Sequence, residues 1–157
     1  MNLEIFIKEN KKLVNYSDSI LAYQTLQNEY GEYYDLAGQI NILFADNNII
    51  TIETNTLESD LYSFFYSIND YLELGSAGIT FNEENIEMQY YKFDEGKLSI
   101  EVFDKKYSVT ETEFFYDLLN ITTLFFEKLY TTYSYSKHKM YLEIIYALKS
   151  KIFISKD

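Results

Sequence analysis

Apolar residues occupy every second position in stretch after stretch of this chain: Leu3, Ile5 and Ile7; Ile40, Ile42 and Phe44; Ile50 and Ile52; Ile79 and Phe81; Ile86, Met88 and Tyr90; Leu98, Ile100 and Val102. A period of two puts alternate side chains on opposite faces of a strand. Such stretches call for a sheet with one buried and one wetted face, which antiparallel strands supply. Polar clusters at Asn10-Lys11-Lys12, Asp46-Asn47-Asn48, Asp94-Glu95-Gly96 and Asp104-Lys105-Lys106 read as the turns. They divide the strands into an opening strand, a hairpin over 40–53 and a meander ending with Tyr107 and Val109.

Helical spacing takes over elsewhere. Leu57, Leu61, Phe64, Phe65, Ile68 and Leu72 predict a helix over about 57–74, with Glu58 and Asp60 at its positive end and Gly75 as its stop. Thr110 followed three residues later by Glu113, flanked by Val109 and Phe114, spells a capping box with a hydrophobic staple. The helix it opens, 111 to about 132, is apolar on too many sides for a single stripe and should lie centrally. Ser134-Tyr135-Ser136 interrupts it before a last helix ending near Phe153, and a further helix is expected over 17–30. The two strand-turn-strand-helix units, 40–72 and 98–129, are alike enough to raise an internal duplication. The expected architecture is one α+β domain over 1–157, an antiparallel sheet of about five or six strands packed against two or three helices.

Charge is distributed unevenly over this frame. Leu13 to Tyr91 contains thirteen Asp and Glu and no Lys, Arg or His, so the net charge of −12 resides there. Self-repulsion opposes folding, and a surface selected only for solubility intersperses both signs, so an oppositely charged partner is the natural account. Arginine, the preferred residue for bidentate phosphate contacts, is absent, and an acidic surface repels phosphates. Nucleic acid is therefore an unsuitable partner. Absence of cysteine excludes disulfides and thiolate chemistry. The alternating start predicts a strand and not a secretory leader, and no window approaches the roughly 18 apolar residues of a membrane span. A soluble, cytoplasmic protein is expected.

Candidate chemistry is sparse. His138, in Ser136-Lys137-His138-Lys139, reads as an exposed residue at a helix start, without a neighbouring acid or Cys at ligand spacing. The densest acid pairs, Glu83-Glu84 with Glu87 and Asp94-Glu95, fall in or beside turns, where carboxylates are solvated and not tuned for acid–base work. Five scattered glycines form no phosphate cradle, and no EF-hand spacing occurs. No metal, cofactor or enzymatic activity is expected. Tyr30, Tyr33, Tyr34, Tyr62, Tyr66, Tyr71, Tyr90 and Tyr91 all lie in the acid-only stretch. Tyrosine gives large contact area at low entropic cost, which suits an interface.

In size, acidity and tyrosine-bearing α+β build, over the whole chain, the protein resembles the small immunity proteins that neutralise bacterial polymorphic toxins. The resemblance carries over no individual residues. It implies stoichiometric binding to a toxin, blocked by occlusion of its active site or a neighbouring surface. The expected contact residues are Glu29, Glu32, Tyr33, Tyr34, Asp35, Asp46, Glu83, Glu84 and Glu87, facing a basic protein. The alternatives are a phage anti-defence inhibitor whose carboxylates imitate DNA phosphates in a nuclease groove, and a small enzyme with a carboxylate pocket.

Overall fold

The computed structural model describes residues 1–9, 11–19, 36–81 and 85–153. Among the described residues, eight strands and four helices follow in the order β1 (Asn2–Glu9), β2 (Lys12–Asn15), β3 (Gly38–Leu43), β4 (Ile49–Thr54), α1 (Leu57–Tyr66), α2 (Ile68–Leu74), β5 (Ser76–Phe81), β6 (Ile86–Asp94), β7 (Lys97–Val102), β8 (Lys105–Thr110), α3 (Glu111–Tyr133) and α4 (Ser136–Phe153). The protein is α+β and its strands pair antiparallel, as the alternation requires. They form two four-stranded sheets, in the orders β2-β1-β3-β4 and β5-β6-β7-β8, where one sheet of five or six strands was expected. Alternation specifies which face of a strand is buried but says nothing about which edges meet. Here α1 and α2 intervene between β4 and β5, and the two strands do not pair.

Each sheet turns one apolar face inward. In the first, Leu3, Ile5, Ile7, Ile40, Ile42, Ile50 and Ile52 are buried, and in the second Ile79, Phe81, Met88, Tyr90, Leu98, Ile100 and Val102 are. Helix α3 contacts β1 of the first sheet and β8 of the second. Its Phe114, Phe115, Leu118, Leu119, Phe125, Phe126 and Leu129 have no exposed surface. Phe114 sits 6.1 Å from Phe64 of α1 and 5.0 Å from Tyr90 of β6, ring centre to ring centre. Helix α4 lies along α3 and buries Tyr141, Leu142, Ile145 and Leu148. Buried side chains from both sheets and all four helices form one hydrophobic cluster. Phe44, a member of that cluster just after β3, stacks on Tyr107 of β8 at 4.2 Å, bridging the sheets.

Local signals hold at several joints. Gly75 ends α2 in the left-handed conformation, φ 76°, its N–H donating to the Tyr71 carbonyl at 2.8 Å. Ser134 does the same for α3 at φ 56°. The start of α3 is where the capping box placed it, and Val109 and Phe114 are both buried, but the Thr110 side chain makes no capping bond. The helix over 57–74 is divided at Ser67, whose hydroxyl donates to the Phe64 carbonyl at 2.7 Å and lies 2.8 Å from the Tyr90 hydroxyl. A side chain that bonds back to its own helix competes with the regular ladder there. The turn expected over Asp104-Lys105-Lys106 falls one residue earlier: Phe103 and Asp104, at φ 51° and 57°, are its centre and both lysines belong to β8. Strand β2 was not expected, and beyond Ser19 the helix expected over 17–30 lies outside the described residues. The hairpin-plus-helix unit recurs, as β3-β4-α1 and β7-β8-α3, although the two sheets differ in strand order.

Gly38 is required for packing and not for a turn. A Cβ there would lie 2.2 Å from the Phe6 carbonyl oxygen and 2.7 Å from Leu57 Cδ2, and the backbone contact cannot rotate away. Gly38→Ala is expected to cost about 2 kcal/mol of stability in urea unfolding, and an unchanged midpoint would show that β1 and β3 can move apart freely.

Candidate functional site

The contact residues expected from sequence do not all fall within the described structure. Glu29, Glu32, Tyr33, Tyr34, Asp35, Glu83 and Glu84 lie outside it. Asp46 and Glu87 are described and exposed, on different sheets. The Asp46 carboxylate is engaged in its own turn. It accepts from the Asn48 side-chain amide at 2.7 Å and the Asn48 backbone N–H at 3.2 Å, which hold it below the usual carboxylate range. Glu87 points outward from β6, on the wetted face of the second sheet.

That face is the most developed surface feature. The register sets Gln89 opposite Glu101, and Glu101 opposite Lys106, across β6, β7 and β8. The Tyr91 hydroxyl donates to Glu101 Oε1 at 2.7 Å, and Lys106 Nζ donates to the Tyr91 oxygen at 3.2 Å and pairs with Glu101 Oε1 at 2.5 Å. Lys106 first, and Tyr91 second, hold the Glu101 carboxyl down, and Glu101 holds the Lys106 ammonium up. Beside this trio an open depression of about 670 Å³ is lined by Asn85, Glu87, Gln89, Glu101, Phe103 and Lys106, among others. General acid–base work needs a group whose pKa lies near the working pH. Glu101 and Lys106 both move away from it. The arrangement presents fixed charge and hydrogen-bonding capacity at the surface.

Asp94 and Glu95, the other acid pair, occupy the β6–β7 turn, where Asp94 Oδ1 accepts the Glu95 N–H at 2.8 Å. Of the tyrosines expected at an interface, Tyr71 and Tyr90 are core residues, and burial raises the pKa of both well above the usual phenol value. Tyr66 and Tyr91 reach the surface fully or in part.

The largest departure concerns His138. It is not exposed: it is completely buried, and its Nε2 lies 2.5 Å from Oε1 of Glu58, itself completely buried on α1. Lys137 Nζ stands 3.9 Å from the other carboxylate oxygen. Asp60, also fully buried, accepts from the Thr54 hydroxyl at 2.5 Å and the Thr56 hydroxyl at 3.4 Å, tying the end of β4 to the first turn of α1. Sequence reasoning weighed the lysines flanking His138 and overlooked its spacing. His138, Tyr141, Ile145 and Leu148 fall on one stripe of α4, and all are buried.

This pair also changes the meaning of the acid-only stretch. Bases missing from it in sequence are returned by the fold. Lys137 and His138 meet Glu58, and Lys128 Nζ donates to the Tyr16 and Ser17 carbonyls, 2.7 Å each. Burial lowers the Lys128 pKa while Asp18 and Glu9 oppose that shift. Among the described residues, no group of three or more His, Asp or Glu is placed to hold a metal ion, and no helix is long and apolar enough to cross a membrane.

Comparison with known proteins returned no matching family model, curated protein or solved structure.

Proposed function

We propose that the protein is a stoichiometric protein-binding inhibitor, an immunity protein that neutralises a cognate bacterial toxin. The observation that supports binding over chemistry is the wetted face of the second sheet. Its Glu101 and Lys106 are pushed away from neutral pKa values, and its depression is open and rimmed by Glu87. The toxin as partner follows from the resemblance in build. The net charge of −12 accelerates encounter with a basic partner and contributes less to the final affinity.

The test is production of the chain together with the toxin encoded beside its gene. Growth should be restored, and the two proteins should co-elute as a one-to-one complex. Undiminished toxicity with no complex would remove the reading. Glu87→Lys should slow association by about threefold at low salt, with a smaller effect at high salt, measured by stopped-flow mixing. An association rate equal to the wild type would take Glu87 out of the interface.

A further inference from the structure

Among the described residues four strands end the two sheets, and three of them are obstructed. Strand β2 has only four residues, and the carbonyls that follow it are held by Lys128. Strand β4 carries Glu53, and β8 carries Lys105 and Lys106, with Phe44 stacked over its Tyr107. Strand β5, Ser76-Ala77-Gly78-Ile79-Thr80-Phe81, has six residues without a charge, a proline or a register shift. Sheet edges left in this state pair readily with another strand, which is why folded proteins normally obstruct them.

The hydrogen-bond phase shows what β5 presents. The Lys92 N–H donates to the Gly75 carbonyl at 3.1 Å, in register with Ser76 opposite Tyr91. In an antiparallel ladder alternate pairs bond, so Ala77, Ile79 and Phe81 bond to β6 while Ser76, Gly78 and Thr80 turn their N–H and C=O outward. Those three are exposed, and no described residue bonds to their outward groups. Beside them a depression of about 290 Å³ is lined by Asp70, Leu74, Ser76, Gly78 and Gln89, among others. Leu74 is 72% exposed, the highest value among the large apolar side chains described, and gives an incoming strand an apolar shelf. Asp70 lines that depression, Glu87 lies opposite Thr80 on β6, and Glu73 belongs to α2, the helix that runs into β5; all three are exposed acids.

We propose that β5 is a strand-addition site that receives an extended, lysine-bearing segment of the partner protein; this rests on the inhibitor reading above. The occupant pairs its main chain with Ser76, Gly78 and Thr80, places apolar side chains over Leu74, and sets its lysines against Asp70, Glu73 and Glu87. A second copy of this chain is disfavoured as occupant, because edge-to-edge pairing would bring two such acid sets together on molecules of net charge −12.

The probe is an N-acetylated ten-residue peptide alternating lysine and valine, with the same peptide carrying glutamate for lysine as control, added to isotope-labelled protein and followed by amide exchange and NMR shifts. The lysine peptide should slow exchange at Ser76, Gly78 and Thr80 by about tenfold or more, and the glutamate peptide should not. Gly78→Pro and Thr80→Pro each delete an outward donor and leave the β5–β6 bonds intact, and either should abolish the protection. Should one of them unfold, the other and the unmodified protein's exchange pattern still decide. Protection centred on Gln89 and Glu101, unaltered binding by the proline variants, or β5 protection that rises with protein concentration alone would each overturn the proposal. Toxin rescue without any β5 response removes this edge and leaves the inhibitor reading; β5 protection without rescue does the reverse.

Discussion

His138→Ala is expected to lower stability by about 3–5 kcal/mol, from the loss of a buried hydrogen bond together with the cavity left by the ring. The reason is geometric. Glu58 has no exposed surface, its Oε1 lies 2.5 Å from His138 Nε2, and Lys137 reaches only to 3.9 Å on the other oxygen. Truncating the ring strips the carboxylate of its nearest partner and opens a cavity beside Phe126, whose ring centre is 6.1 Å from that of His138. Replacing both residues with leucine should recover most of the loss, because a well-packed apolar pair leaves no buried polar group without its partner. Urea unfolding of the two single variants and the double variant measures the coupling. A loss below about 1 kcal/mol for His138→Ala would mean that the pair contributes little to the folded state.

Phe114→Ala is expected to cost about 4 kcal/mol, from lost burial and from a cavity that the surroundings fill only in part. The residue stands where α1, α3 and the second sheet meet, against Phe64, Phe115 and Tyr90, with no exposed surface. Those neighbours are anchored on three elements, so collapse onto the space would need all of them to shift. A protein of this size loses about 3 °C of thermal midpoint per kcal/mol, so calorimetry should record a fall of roughly 10 °C. A fall of only 2–3 °C, about the effect of 1 kcal/mol, would show that the aromatic cluster repacks.

Much of this architecture was legible in the chain, and the exceptions share a cause. Inward positions such as Ile5, Ile42, Ile52, Met88 and Ile100 were readable because alternation is a local property of a strand. The stop at Gly75 was readable for a similar reason, since the residue after a helix often needs positive φ. The division into two sheets was not, because pairing of edges depends on residues far apart in sequence. Phe103 concealed its turn because a large aromatic at φ 51° is uncommon, and the polar residues after it were the more obvious turn formers. Thr110 marked the beginning of α3 correctly without making the bond that justifies the motif. For the candidate site, the outward orientation of Glu87 followed from alternation. The trio of Tyr91, Glu101 and Lys106 did not, since it forms only when three strands align. His138 was misjudged because two flanking lysines were weighed above its helical spacing, which pointed inward.

The pairing of Glu58 with His138 spans 80 positions of chain. During synthesis the acids of residues 13–91 are made well before Lys128, Lys137 and His138, the bases that later meet this region. Each sheet can pair from its own contiguous stretch, the second entirely between consecutive strands, and α3, which contacts both, is made after them. The growing chain therefore passes through a stage with its strands made, its apolar faces covered only by α1 and α2, and Lys128, Lys137 and His138 still missing. A fragment that stops before α4 lacks the His138 and Lys137 that lie against the buried Glu58 carboxylate, and is a chemically different molecule from the same residues in the folded protein.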